Sequence, residues 1–155
     1  MLQVHVVISL IAILEGFVIA FGFLTNRRLN TSNAVFLLFT IATSVTGLLL
    51  PLNGLTPPVI LSIISLVVLA VAVYARYGKL MLQGWRTVYV VTAMFAFYLN
   101  FFVLVVQAFQ KVPSIKALAP TQTEPPFAVV QLSALLLFIV LTVAGVKRYH
   151  PAPGV

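Results

Sequence analysis

Glu15 is the residue in this sequence with the most chemistry open to it. It stands near the middle of the apolar run Val4–Leu24, where an acidic side chain is costly and marks a candidate functional site. Low dielectric favours the neutral acid over the bare carboxylate, which leaves two roles. Glu15 can carry a proton or cation, or it can fasten its helix to a neighbour as a neutral carboxyl. Asn100 falls at about the same depth in another apolar run and joins Glu15 as a candidate proton, ion or helix-locking group.

Gln107 and Gln131 lie shallower, on one side of the same region, and extend these two into a candidate polar layer. Lys111 and Glu124 flank the loop above that layer. The alternative to a functional layer is a set of ordinary interhelical hydrogen bonds, worth about 0.6 kcal/mol each. That reading is the stronger one for the hydroxyls Thr40, Thr43, Ser44, Ser62 and Ser65.

Other chemistries are poorly served. His5 and His150 sit near opposite ends of the chain and, on the topology below, at opposite membrane surfaces, so no metal or haem centre can use both. With no Cys, thiolate catalysis and Cys-ligated clusters are excluded. There is no close acid pair, nucleophile elbow, His-Glu-x-x-His or phosphate-binding loop. No cofactor and no metal are expected, and the chain is read as a non-enzyme. Asn30-Thr31-Ser32 matches a glycosylation sequon but is read as a turn and helix cap.

The elements that must position these residues follow from composition. Of 155 residues, 62% are hydrophobic and 7% charged, against about 25% charged in an average soluble domain. A soluble enzyme, a nucleic-acid-binding module and a disordered tail are excluded, and the bilayer is the partner this composition demands. The net charge of +7 is accounted for by the bias of membrane proteins toward Lys and Arg in cytoplasmic loops.

Crossing the hydrocarbon takes about 20 apolar residues, and five segments qualify, at about 4–24, 34–52, 59–75, 88–109 and 127–146. The predicted fold is an all-α bundle of five transmembrane helices forming a single integral membrane domain. The first segment lacks the charged start of a signal peptide and is read as a retained span. Pro51, Asn53, Gly54, Pro57 and Pro58 divide the second span from the third.

On the first span, His5, Ser9, Ala12, Gly16 and Ala20 form a small-residue stripe that should face protein. The loop over 110–126 is stiffened by Pro113, Pro120, Pro125 and Pro126. Within it, Ser114 is placed to cap a turn running to Ala119, and Glu124 is placed to pair with Lys111 or Lys116.

Two functions fit. The first is a small non-enzymatic membrane protein acting through helix packing, as a homo-oligomer or as an accessory subunit of a membrane complex. The second is a small proton- or cation-coupled transporter or channel using Glu15. Small size, compact loops and absent Cys suit a bacterial inner membrane.

Five spans place Arg27, Arg28, Arg76, Lys79, Arg86, Lys147 and Arg148 on one side, against Lys111 and Lys116 on the other. Positive residues mark the cytoplasmic side, so the N-terminus is expected outside and the C-terminus in the cytoplasm. A reporter fused after Val155 should therefore be active only as a cytoplasmic reporter. Activity of an extracytoplasmic reporter there would refute the direction.

Overall fold

A computed structural model describes residues 1–51 and 54–152. Five long helices, each long and apolar enough to cross a membrane, alternate in direction through short connections. They are α1 (Leu2–Leu24), α2 (Asn30–Leu49), α3 (Pro57–Val73), α4 (Trp85–Lys111) and α6 (Pro125–Arg148). The single turn α5 (Pro113–Lys116) lies in the loop before α6, and a π-helical turn over Tyr74–Gly78 prolongs α3.

The helix ends follow local chemistry. α2 stops at Leu49 because Leu50 is extended (φ −65°, ψ 144°), the state that the following Pro51 imposes. Pro51, expected in the last turn, therefore lies beyond the helix. Leu52 and Asn53, the expected end of that span and start of its turn, lie outside the described residues. Pro57-Pro58 and Pro125-Pro126 each open a helix, where the missing N–H costs nothing.

Two caps differ from expectation. Asn30-Thr31-Ser32-Asn33, expected ahead of α2, form its first turn, and the cap is Leu29 in the left-handed region (φ 41°). Asn33 holds that start by donating from Nδ2 to the carbonyls of Leu29 and Arg28, at 2.8 and 3.0 Å. Ser114 caps nothing, because α5 begins one residue earlier, at Pro113.

α4 is the centre of the bundle. It packs against α1, α2, α3 and α6, while α3–α2–α1–α6 touch in that order around it. Among the described residues α3 and α6 make no contact, so the ring is open on one side. There α4 presents the partly exposed Phe95 and Tyr98, whose rings stack at 6.5 Å.

Lipid tails are as apolar as leucine, so helix association in a bilayer depends on close packing rather than on hydrophobic transfer. The tightest approach is at Gly16, on the small-residue stripe of α1. Ala12, Gly16 and Ala20 are all buried, and Gly16 lies directly against the ring of Phe97 in α4. Phe97 is fully buried. It makes edge contacts with Phe17 at 5.0 Å, Phe138 at 4.9 Å and Phe36 at 6.4 Å, each arrangement worth about 0.5–1.5 kcal/mol.

A Cβ on Gly16 would overlap the Phe97 ring, which three other rings prevent from moving. Gly16→Ala should therefore cost about 1–3 kcal/mol through overpacking, measured as a lowered midpoint of thermal unfolding in detergent. Gly84→Ala, where the added methyl meets nothing within 4 Å, should leave the midpoint unchanged.

Candidate functional site

Glu15 sits at the edge of the bundle. Ala12 and Ile19, on its own side of α1, are fully buried, whereas the adjoining Leu14 and Val18 are exposed. Its Oε2 is buried and has no hydrogen-bond partner. Intrachain helix locking would require such a partner, because an unpaired buried polar group is costly. Glu15 is thus partly exposed, near the middle of α1, with its Oε2 unpaired among the described residues.

Asn100 belongs to a different set of contacts. Its Nδ2 reaches the Thr40 hydroxyl at 3.5 Å, the long limit of a hydrogen bond. Ser44, one turn beyond Thr40 on α2, donates to the Thr40 carbonyl at 3.1 Å and is hydrogen-bonded to Ser65 Oγ of α3 at 3.0 Å. This buried polar seam ties α4, α2 and α3 together. His5 adds a fastener between α1 and α2, with Nδ1 2.8 Å from Thr46 Oγ1.

Nearer the α5 end, Gln131 donates from Nε2 to the Phe102 carbonyl at 3.3 Å. The amide oxygens of Gln131 and Gln107 are buried without partners among the described residues. No hydrogen bond joins Glu15, Asn100, Gln107 and Gln131 to one another among the described residues. The four are held separately and do not form one network.

The loop above them is docked. Gln122 Nε2 donates to the Val106 carbonyl at 3.0 Å. Ala119 packs into a small apolar cluster with Val105 and Phe109, and Phe127 covers Phe109 at 5.3 Å. Lys111 is exposed. Glu124 pairs with neither Lys111 nor Lys116. Its carboxylate accepts from the Thr121 hydroxyl at 2.8 Å and from the N–H groups of Thr121 and Thr123 at 3.2 and 3.1 Å. The donors next to it in sequence outcompete a lysine that would have to be brought across water.

The opposite end holds residues that sequence reasoning treated only as topological charges. Arg76, on the π-helical turn, is 5% exposed. Its Nη2 donates to Asn30 Oδ1 at 2.8 Å, its Nη1 approaches the Met81 sulfur at 3.6 Å, and its guanidinium lies 4.9 Å from the Tyr89 ring centre. Tyr89 donates in turn to Asn33 Oδ1. Arg76 and Ala75 are the buried residues of this π-helical turn.

Arg86 donates to the carbonyls of Val146 and Tyr149 at 2.8 and 2.6 Å, closing the C-terminal end of α6. A signal was present in the sequence: Asn30, Asn33, Tyr89 and Tyr149 gather at the same end as the arginines. The π turn that brings them together has no distinctive spacing.

Chemically, the described residues offer one acid with an unpaired oxygen, two unpaired amide oxygens, the unpaired hydroxyls of Thr56 and Tyr149, and a cationic cluster at one end. No three His, Cys, Asp or Glu side chains converge among them. Comparison with family models, curated proteins and solved structures finds no match.

The hydrogen bond from the Thr121 hydroxyl, with the loop N–H groups, holds Glu124 below the ordinary glutamate pKa of 4.5. A depressed folded value means the loop contacts persist above that range and are lost as pH falls through the folded pKa. The amide proton shifts of Thr121 and Thr123 should titrate together with a midpoint below 4.5, and Glu124→Gln should abolish the titration. A midpoint at or above the ordinary value would rule out these bonds.

Proposed function

We propose that this chain is a non-enzymatic integral membrane protein that works by helix packing, assembling with a second membrane helix along the Glu15 edge of α1. That helix belongs to another copy of the chain or to a larger membrane complex in which this protein is an accessory subunit. The observation that carries the reading is the mid-membrane position of Glu15, partly exposed and with a buried oxygen that has no partner. A polar group in that position is satisfied most cheaply by a polar group from a neighbouring helix. The surrounding α1 surface supports it, since Leu10, Leu14, Phe17 and Phe21 are all about half exposed.

In this reading the seven basic residues face the cytoplasm, as the bias of Lys and Arg supports. Compact loops fit a bacterial inner membrane. A second reading, a proton- or cation-coupled transporter, draws on the same carboxyl together with the unpaired amide oxygens of Gln107 and Gln131. It lacks a continuous polar path linking them.

The sequence contains no cysteine, so single introduced thiols report neighbours cleanly. Leu14→Cys should cross-link in membranes, to itself or to a co-purifying protein, whereas Leu136→Cys on the exposed face of α6 should not. Adding Glu15→Leu should weaken the α1 cross-link by about threefold or more, the equivalent of one interhelical polar contact. A protein that stays monomeric without cross-links, and that drives a proton flux lost in Glu15→Gln, would establish the transporter instead.

A further inference from the structure

The basic end of the bundle contains a half-open cavity of about 210 Å³, lined by Arg28, Met81, Gln83, Arg86, His150 and Ala152 among others. This volume is below the roughly 300–1,000 Å³ of sites for drug-sized ligands, so it suits a small charged group rather than a nucleotide.

Charge is the first argument. The only two acidic side chains in the sequence are Glu15 and Glu124. One lies at mid-membrane and the other at the far end of the bundle, so neither can neutralise the cavity. Its arginines are instead positioned by neutral oxygens. Arg28 donates from Nε to Asn30 Oδ1 at 3.1 Å and from Nη1 to the Ala152 carbonyl at 2.8 Å.

Arg86 is anchored through both its terminal nitrogens, Nη1 to the carbonyls of Val146 and Tyr149 and Nη2 to Thr87 Oγ1. Arg28 Nη2 and Arg86 Nε have no protein partner among the described residues. Two anchored guanidinium groups beside one cavity, with no acidic partner among the described residues, are a pre-organised receptor for a phosphate-type anion. Arg76 adds a third positive charge behind Met81.

Depth is the second argument. Tyr74 and Trp85 meet edge to face at 5.4 Å, and Lys79 Nζ lies 5.6 and 5.8 Å from their ring centres. Tyr and Trp gather at headgroup level, and Trp85 directly precedes Arg86. The cavity therefore opens where lipid phosphates lie. The loop that forms its wall is unusual as well. Leu80, Met81 and Gln83 have φ of 53°, 54° and 53°, a left-handed state that side chains other than glycine and asparagine rarely take and that the surrounding contacts must hold.

We propose that this cavity binds a phosphate group at the membrane surface, between Arg28 and Arg86. The phosphate is presented by an anionic lipid headgroup or by a dissolved phosphate. The site is remote from Glu15 and does not depend on the packing function.

The test is native mass spectrometry and thermal unfolding of the delipidated full-length protein, titrated separately with phosphatidylglycerol, phosphatidylcholine and inorganic phosphate. Phosphatidylglycerol should be retained in preference to phosphatidylcholine if a lipid supplies the phosphate. Stabilisation by inorganic phosphate, without that lipid preference, assigns the dissolved anion.

Gln83→Glu places a negative charge on the exposed wall of the cavity without removing any side-chain hydrogen bond, and should weaken binding of the preferred anion by about fivefold. Arg28→Gln combined with Arg86→Gln should lower it by about 25-fold. Lys147→Gln, a basic residue at the same end but outside the cavity, should bind like wild type. Equal retention of both lipids with no effect of inorganic phosphate would overturn the proposal. So would wild-type binding by Gln83→Glu when its unfolding midpoint is unchanged, or an equal loss in Lys147→Gln, which would indicate diffuse attraction.

Discussion

The contact between Gly16 and the ring of Phe97 is the one on which the rest of the bundle depends. In a bilayer no water is expelled when two apolar helices meet, so association has to come from backbones close enough for dense packing. A glycine at this point lets α1 lie against α4. Phe97, fixed there, then meets a ring from α1, α2 and α6. Three of the four helices around α4 are thus held to a single side chain. Only α3 is held elsewhere, through the Ser44–Ser65 hydrogen bond and its own packing on α4.

The two ends of the bundle satisfy their polar groups differently. At the basic end, the cations have no acidic partner among the described residues and are held by amide oxygens, backbone carbonyls and aromatic faces. Such contacts position a guanidinium without neutralising it. At the other end, Glu124 turns back onto Thr121 and Thr123, so Lys111 and Lys116 are left without it. Between the ends, Thr40, Thr43, Ser44 and Thr46 of α2 and Ser65 of α3 find partners, while Glu15, Gln107 and Gln131 each keep a buried oxygen unpaired among the described residues. The unpaired oxygens are where the chain's own packing stops accounting for its polar groups.

Much of this was legible from residue type and spacing. The five helices, the division at Pro51 to Pro58, the prolines opening α6 and the buried stripe of Ala12, Gly16 and Ala20 all follow from local rules. Helix ends were less legible. Asn30-Thr31-Ser32-Asn33 has the composition of a cap, yet it forms the first turn of α2, where Asn33 bonds back to Arg28 and Leu29 and accepts from Tyr89 of α4. Glu124 was assigned a lysine because opposite charges attract, whereas an exposed carboxylate is bonded more readily by N–H groups one to three residues away. The burial of Arg76 was not legible at all, since a π turn is made by one extra residue in a helix and carries no spacing of its own.

The sequence by itself determined that this is an all-helical membrane protein with five spans, because spanning the hydrocarbon requires apolar length and internal backbone hydrogen bonds, both local properties. It also isolated Glu15 as the one acid within the membrane. Only the tertiary structure decided that Glu15 Oε2 finds no partner among the described residues, that Asn100 belongs with Thr40 rather than with Glu15, and that Arg28, Arg76 and Arg86 gather at one cavity-bearing end. These depend on how helices distant in sequence rotate and approach, which side-chain shape at sites such as Gly16 and Phe97 settles and periodicity does not encode.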